Sequence, residues 1–131
     1  MKRKEYKMKT YRPLNEQEMK WIKKVLDNEF LGKEILLEQV SQSQVSVEKE
    51  RGYVSIIFEV SGNVEQYPYT ARVLVEMHAF QEAEAPIVFL LHVIDGLVNE
   101  LEIYSADGSD IHVSTISLDR VEHVMDEEVV S

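Results

Sequence analysis

Asp95-Gly96 lies between two runs of strand-forming residues, 87–94 and 97–104. Asp-Gly is favoured where both central residues of a two-residue hairpin loop need positive φ, as in a type I′ turn. Such a turn fixes which residues face one another on the flanking strands. It predicts Ile94 opposite Leu97, His92 opposite Asn99, Leu90 opposite Leu101 and Val88 opposite Ile103. The other face then pairs Leu91 with Glu100 and Phe89 with Glu102. The second half of this chain must therefore contain antiparallel sheet.

A second reversal follows at Ala106-Asp107-Gly108. A three-residue loop ending in a left-handed glycine would set Ile103 against Ile111, Leu101 against Val113 and Glu102 against His112. Under this register the apolar rows agree across three strands.

Upstream, period-two alternation marks further half-buried strands. Val45 and Val47 alternate with polar residues, and after Gly52 so do Val54, Ile56, Phe58 and Val60. Ser61-Gly62-Asn63 and Pro68 bound a loop. Ala71, Val73, Val75, Met77 and Ala79 then form one face of a third strand, with Arg72, Leu74, Glu76 and His78 on the other. Residues 87–94 are apolar on both faces apart from His92, which places that strand near the centre of the sheet.

The N-terminal part reads as helix. Asn15 is a good N-cap and Glu18 stands at the capping-box position, with Leu14 and Met19 spaced as a hydrophobic staple. Met19, Ile22, Val25, Leu26 and Phe30 form one apolar stripe, and Gly32 is placed to end the helix as its C′ residue. Residues 34–40 read as a second short helix, with a strand as the alternative, and 117–131 fit either a short helix or a strand.

The expected fold is α+β: one or two N-terminal helices on one face of a mainly antiparallel, five- to six-stranded meander sheet. The expected core is Ile22, Val25, Leu26, Val54, Ile56, Phe58, Val73, Val75, Leu90, Leu101 and Ile103.

Two segments resemble a small family of bacterial proteins of unknown function. One is Arg12-Pro13-Leu14-Asn15-Glu16-Gln17-Glu18 leading into the helix. The other is Asp95-Gly96-Leu97-Val98-Asn99-Glu100-Leu101-Glu102-Ile103-Tyr104 followed by Asp107-Gly108. The likeness covers residues 11–111 and implies a helix start and a C-terminal double hairpin. Its motifs are capping and turn chemistry, so it implies an architecture and no reaction.

Composition bounds the function. A chain of 131 residues with 44% hydrophobic and 29% charged residues builds one core. The absence of cysteine excludes disulfides, thiolate nucleophiles and Cys-type zinc sites. Residues 1–12 hold six basic residues and one acid, which leaves eight basic and 23 acidic in residues 13–131. We read the first twelve residues as a basic, flexible arm and 13–131 as one acidic α+β domain. A body of that sign repels phosphate backbones, so nucleic acid is not an expected partner. The basic start lacks the apolar run of a secretory signal, and the longest apolar stretch is too short to cross a bilayer. A cytoplasmic location, with no membrane association, is expected.

No nucleophile elbow, phosphate loop, H-E-x-x-H or calcium loop is present. We therefore assign no catalytic residue, no metal ligand and no cofactor. Glu76 and His78 share a strand face, but the register set by the Asp95-Gly96 turn sends His92 away from Glu100 and Glu102. Two binding surfaces are expected. An apolar centre with an acidic rim, including Glu76, Phe89, Leu91, Glu100, Glu102 and Tyr104, would dock a basic protein partner or a second copy of the chain. A pocket between helix and sheet, lined by Trp21, His92 and Tyr104, is the alternative for a small ligand. A metal-dependent enzyme built on strand His and Glu residues is the third reading.

Overall fold

A computed structural model describes residues 9–82 and 84–130. Most of the expected basic arm, residues 1–8, lies outside the described residues. Arg12 does not trail into solvent. It exchanges two backbone hydrogen bonds with Val45, and its guanidinium bonds both oxygens of Glu18 at 2.8 and 2.7 Å.

The capping box forms as expected and opens helix α1, Glu16–Val25. The Asn15 side chain accepts from the Glu18 amide at 2.8 Å, and Glu18 accepts from the Asn15 amide at 2.9 Å. Burial pushes the Glu18 carboxyl up, but its bonds to Arg12 and Asn15 outweigh this and hold it below the usual carboxylate range. A depressed folded pKa means the stabilisation is complete above the unfolded value of about 4.3 and fades as pH falls through the folded one. Glu18→Gln should cost about 2 kcal/mol at pH 7. Denaturant melts of the two proteins should converge as acid neutralises the wild-type carboxyl.

Helix α1 ends sooner than its apolar stripe implies. Leu26 caps it, and Asp27 and Asn28 turn the chain away, although Phe30 still reaches the core. Gly32 is thus not the C′ residue of α1. At φ +77 it opens helix α2, Lys33–Ser41, where a Cβ would lie 2.6 Å from the Tyr67 ring. Tyr67 in turn donates to the Leu31 carbonyl at 2.6 Å.

Six strands follow: β1 Ser43–Glu50, β2 Tyr53–Val60, β3 Val73–Ala79, β4 Ile87–Ile94, β5 Leu97–Ser105 and β6 Val121–Met125. All pairings are antiparallel, in the order β1-β2-β5-β4-β3-β6. The β1–β2 hairpin joins a β3–β4–β5 meander along β5, and β6 returns to the far edge. The tail expected as helix or strand is this last strand, followed by a short 3-10 turn at Glu127–Val129.

Both helices lie on one face, α1 over β3 and α2 over β5 and β2. The core between the layers takes Trp21, Ile22, Val25 and Leu26 from α1, Leu36 and Val40 from α2, and Ile56, Phe89, Leu91, Leu101 and Ile103 from the sheet. Ile111, Val113, Ile116, Leu118 and Val129 pack against or within this same core.

Three expectations about register fail. The Asp95-Gly96 turn forms, with φ of 53 and 77, and Ile94 does face Leu97. Two residues later the ladder shifts. Val93 faces Val98 but His92 faces Glu100, so Asn99 is the extra residue of a bulge. Beyond it Leu91 pairs with Leu101 and Phe89 with Ile103, one position out of step with the expected ladder. The second irregularity lies between Val73 and Val75. There Leu74 is buried and Val73 is 39% exposed, which reverses their expected places. Third, Asp107-Gly108 turns the chain, but no second hairpin follows. The free side of β5 is taken by β2, and residues 113–115 form a 3-10 turn. Glu102 therefore does not meet His112.

Candidate functional site

Because the helices and the C-terminal segments pack on one side, the other side of the sheet carries three cross-strand rows. One row runs Glu50, Tyr53, Tyr104, Val88, His78, Glu122. The next runs Glu48, Ser55, Glu102, Leu90, Glu76, Val124, and the third Ser46, Ile57, Glu100, His92, Val73. Val88 is buried yet stands outside the core cluster, as a residue covered by its neighbours on this second face should. The rows contain many glutamates and neither lysine nor arginine.

The bulge at Asn99 determines what meets at the centre. By turning β4 over relative to β5, it brings His92 onto the side of Glu100 and Glu102. The His92 Nε2 contacts Glu102 Oε1. Tyr53 donates to Glu102 Oε2 at 2.6 Å and to Glu100 Oε2 at 3.3 Å, and Ser55 Oγ donates to Glu100 Oε2. Burial pushes the Tyr53 hydroxyl well above the usual phenol range, and its bond to Glu102 and the charges of Glu100 and Glu102 push the same way. The Tyr53 hydroxyl therefore keeps its hydrogen at neutral pH and serves as a hydrogen-bond donor to the carboxylates. His92, Glu100 and Glu102 each bring a ligand atom within 4.8 Å of the others, which makes this the group among the described residues suited to hold a metal ion. A separate His78–Glu76 pair, at 2.6 Å, lies on the same face.

The residues expected to form sites divide between the two faces. Glu76, Glu100, Glu102 and Tyr104 stand on the helix-free face. Phe89 and Leu91, expected beside them, are fully buried in the core, and Leu90 takes the outward place. Leu90 and Val73 accordingly leave the expected core, while its other members keep their places. Trp21 is also in the core, in an edge-type contact with Phe89 with ring centroids 6.2 Å apart. The sheet thus separates Trp21 from His92 and Tyr104, so the three do not share one face. A hollow of about 250 Å³ does lie between the helices, but Met19, Ile22, Leu26, Leu37 and Val40 line it. Tyr53 and Ser55 were not anticipated as site residues. The available signal was their alternation with Val54 and Ile56, which puts both polar groups on the outer side of β2.

The model of a family described as a domain of unknown function, DUF6984, matches residues 11–115. The chain belongs to this family. The DUF6984 segment takes in both helices, the strands β1 to β5, and the whole His92 cluster, and stops short of β6. No curated protein and no solved structure matches the chain. The family description attaches no reaction to the DUF6984 fold, so function has to be read from the side chains of the site.

Proposed function

We propose that this DUF6984 chain is a non-catalytic binding domain that docks a basic protein partner on the helix-free face of its sheet. One observation carries the reading: Ile111, Val113, Ile116, Leu118 and Val129, from the segments outside the strands, join the core on the opposite side, and neither α-helix is laid over this face. Its centre offers Ile57, Leu90, Tyr53 and Tyr104, and its margins offer Glu48, Glu50, Glu76 and Glu122. An apolar-aromatic centre with a charged rim has the anatomy of an interface. A net charge of −10 steers a cationic partner toward it.

Charge also favours a different molecule over a second copy, because two such faces would oppose their glutamates. An immunity-type role, with a basic toxin domain as partner, is one form this function would take. A cytoplasmic setting fits the cysteine-free composition, and no helix among the described residues is long and apolar enough to cross a membrane.

The test is binding of a fluorescent lysine-rich peptide with interspersed apolar residues, beside its glutamate counterpart. The basic peptide should bind, and its affinity should fall roughly tenfold or more between about 50 mM and 0.5 M salt. Reversal of Glu48, Glu50 and Glu76 to lysine should remove most of that affinity. Equal binding of both peptides, or no effect of the reversal, would overturn the reading.

A further inference from the structure

We propose that His92, Glu100 and Glu102 bind a divalent transition-metal ion of the zinc type. The three side chains come from neighbouring strands at fixed register. His92 faces Glu100 directly, and Glu102 is the next residue along the same face of β5. Their ligand atoms all lie within 4.8 Å of one another. Bonds of about 2.0–2.2 Å to imidazole nitrogen and carboxylate oxygen put donors around one ion up to roughly 4 Å apart, so small side-chain rotations complete the site. An imidazole among the donors selects zinc-like ions over magnesium and calcium, which prefer all-oxygen sites.

Two further features favour a cation. The carboxylates are held from behind: Tyr53 and Ser55 donate to their Oε2 atoms, while the Oε1 of Glu102 is turned toward His92. Hydroxyl donors behind the ligands are the outer support that metal sites use to fix ligand direction. The second feature is charge. Two carboxylates converge here with no lysine or arginine on the same rows to neutralise them. The His92 and Glu102 side chains are 17% and 25% exposed, so the ligands are partly desolvated but still reachable from solvent. Three protein ligands leave coordination positions open toward the sheet surface, where water or a partner's side chain would complete the shell.

The isolated protein, stripped with chelator, should bind zinc with a stoichiometry of one in calorimetric titration, and magnesium in excess should not displace it. Histidine ring resonances should show His92 perturbed by zinc and His78 left in place. His92→Ala and Glu102→Gln should each weaken zinc by about 100-fold or more, and Tyr53→Phe by roughly tenfold at unchanged stoichiometry. His78→Ala should bind as wild type. Absence of stoichiometric zinc, or binding that survives loss of His92 and fails with loss of His78, would overturn the assignment. The ring resonances are read on the unmutated protein, so a variant that misfolds does not blunt the test. No partner is involved, so this result and that of the peptide experiment stand or fall separately.

Discussion

Leu91→Asp is expected to unfold the domain, whereas Leu90→Asp should leave it folded. The two leucines are adjacent in sequence and equal in composition, so the difference lies in which way the sheet turns them. Leu91 is fully buried, and its ladder partner Leu101 is buried with it. A carboxylate there has no counter-ion and no donor, and leaving a charge unpaired in a core costs several kcal/mol, a large part of a small domain's stability. Leu90 sits on the second face between Glu76 and Glu102. Aspartate at that place loses a modest apolar contact and gains like-charge repulsion, an expected loss of about 1–2 kcal/mol. Urea melts followed by circular dichroism separate the outcomes. Equal damage from both substitutions, or the reverse order, would count against the bulged β4–β5 register.

Gln39→Leu is expected to cost about 3 kcal/mol despite its similar size. Gln39 is a fully buried polar residue on α2, and its amide holds the Asp95-Gly96 reversal from the core side. Its Nε2 donates to the carbonyls of Glu65 and Gly96 at 2.8 Å each, and its Oε1 accepts from the Val98 amide at 2.8 Å. Leucine fills the volume but leaves the buried Val98 N–H without a partner, and an orphaned buried donor costs on the order of 1–3 kcal/mol in addition to the bonds lost. Hydrogen exchange gives the specific sign. The Val98 amide should be strongly protected in the wild type and lose most of that protection in the variant, while the central β2 amides change only with global stability.

These two residues also show why the sequence was readable in some places and misleading in others. The capping box at Asn15 and Glu18 is local chemistry, complete within four residues, and it forms as read. The Asp95-Gly96 turn is equally local and also forms. Strand pairing beyond the turn is not local. Val98 and Leu101 both face the core, Val98 beside the Gln39 amide and Leu101 beside Leu91, although three positions apart on a strand of period two should face opposite ways. A single extra residue reconciles them, and Asn99 is that residue. The broken alternation is visible as apolar residues at 97, 98, 101 and 103, a pattern that an uninterrupted turn register does not accommodate.

The site inherits that difference. With an uninterrupted ladder, His92 falls on the side away from Glu100 and Glu102, and a metal site looks excluded. With the bulge, the imidazole and the two carboxylates share a face. The same correction takes Phe89 and Leu91 off the binding surface and into the core. The loss of the second hairpin has a related origin. Asp107-Gly108 marks a reversal, but the free side of β5 is claimed by β2, from residues some fifty positions earlier, and no short-range signal encodes that competition. Glu76, Glu100, Glu102 and Tyr104 keep their expected face because each is fixed by its own strand's alternation beyond the irregular positions.

Interstrand nuclear Overhauser contacts between β4 and β5 test the bulged register most directly. Backbone contacts of Leu91 with Leu101 and of Phe89 with Ile103, together with contacts from the His92 ring to the Glu100 and Glu102 side chains, are the expected result. Contacts of Leu90 with Leu101 and of Val88 with Ile103, with the His92 ring near Asn99, would contradict it.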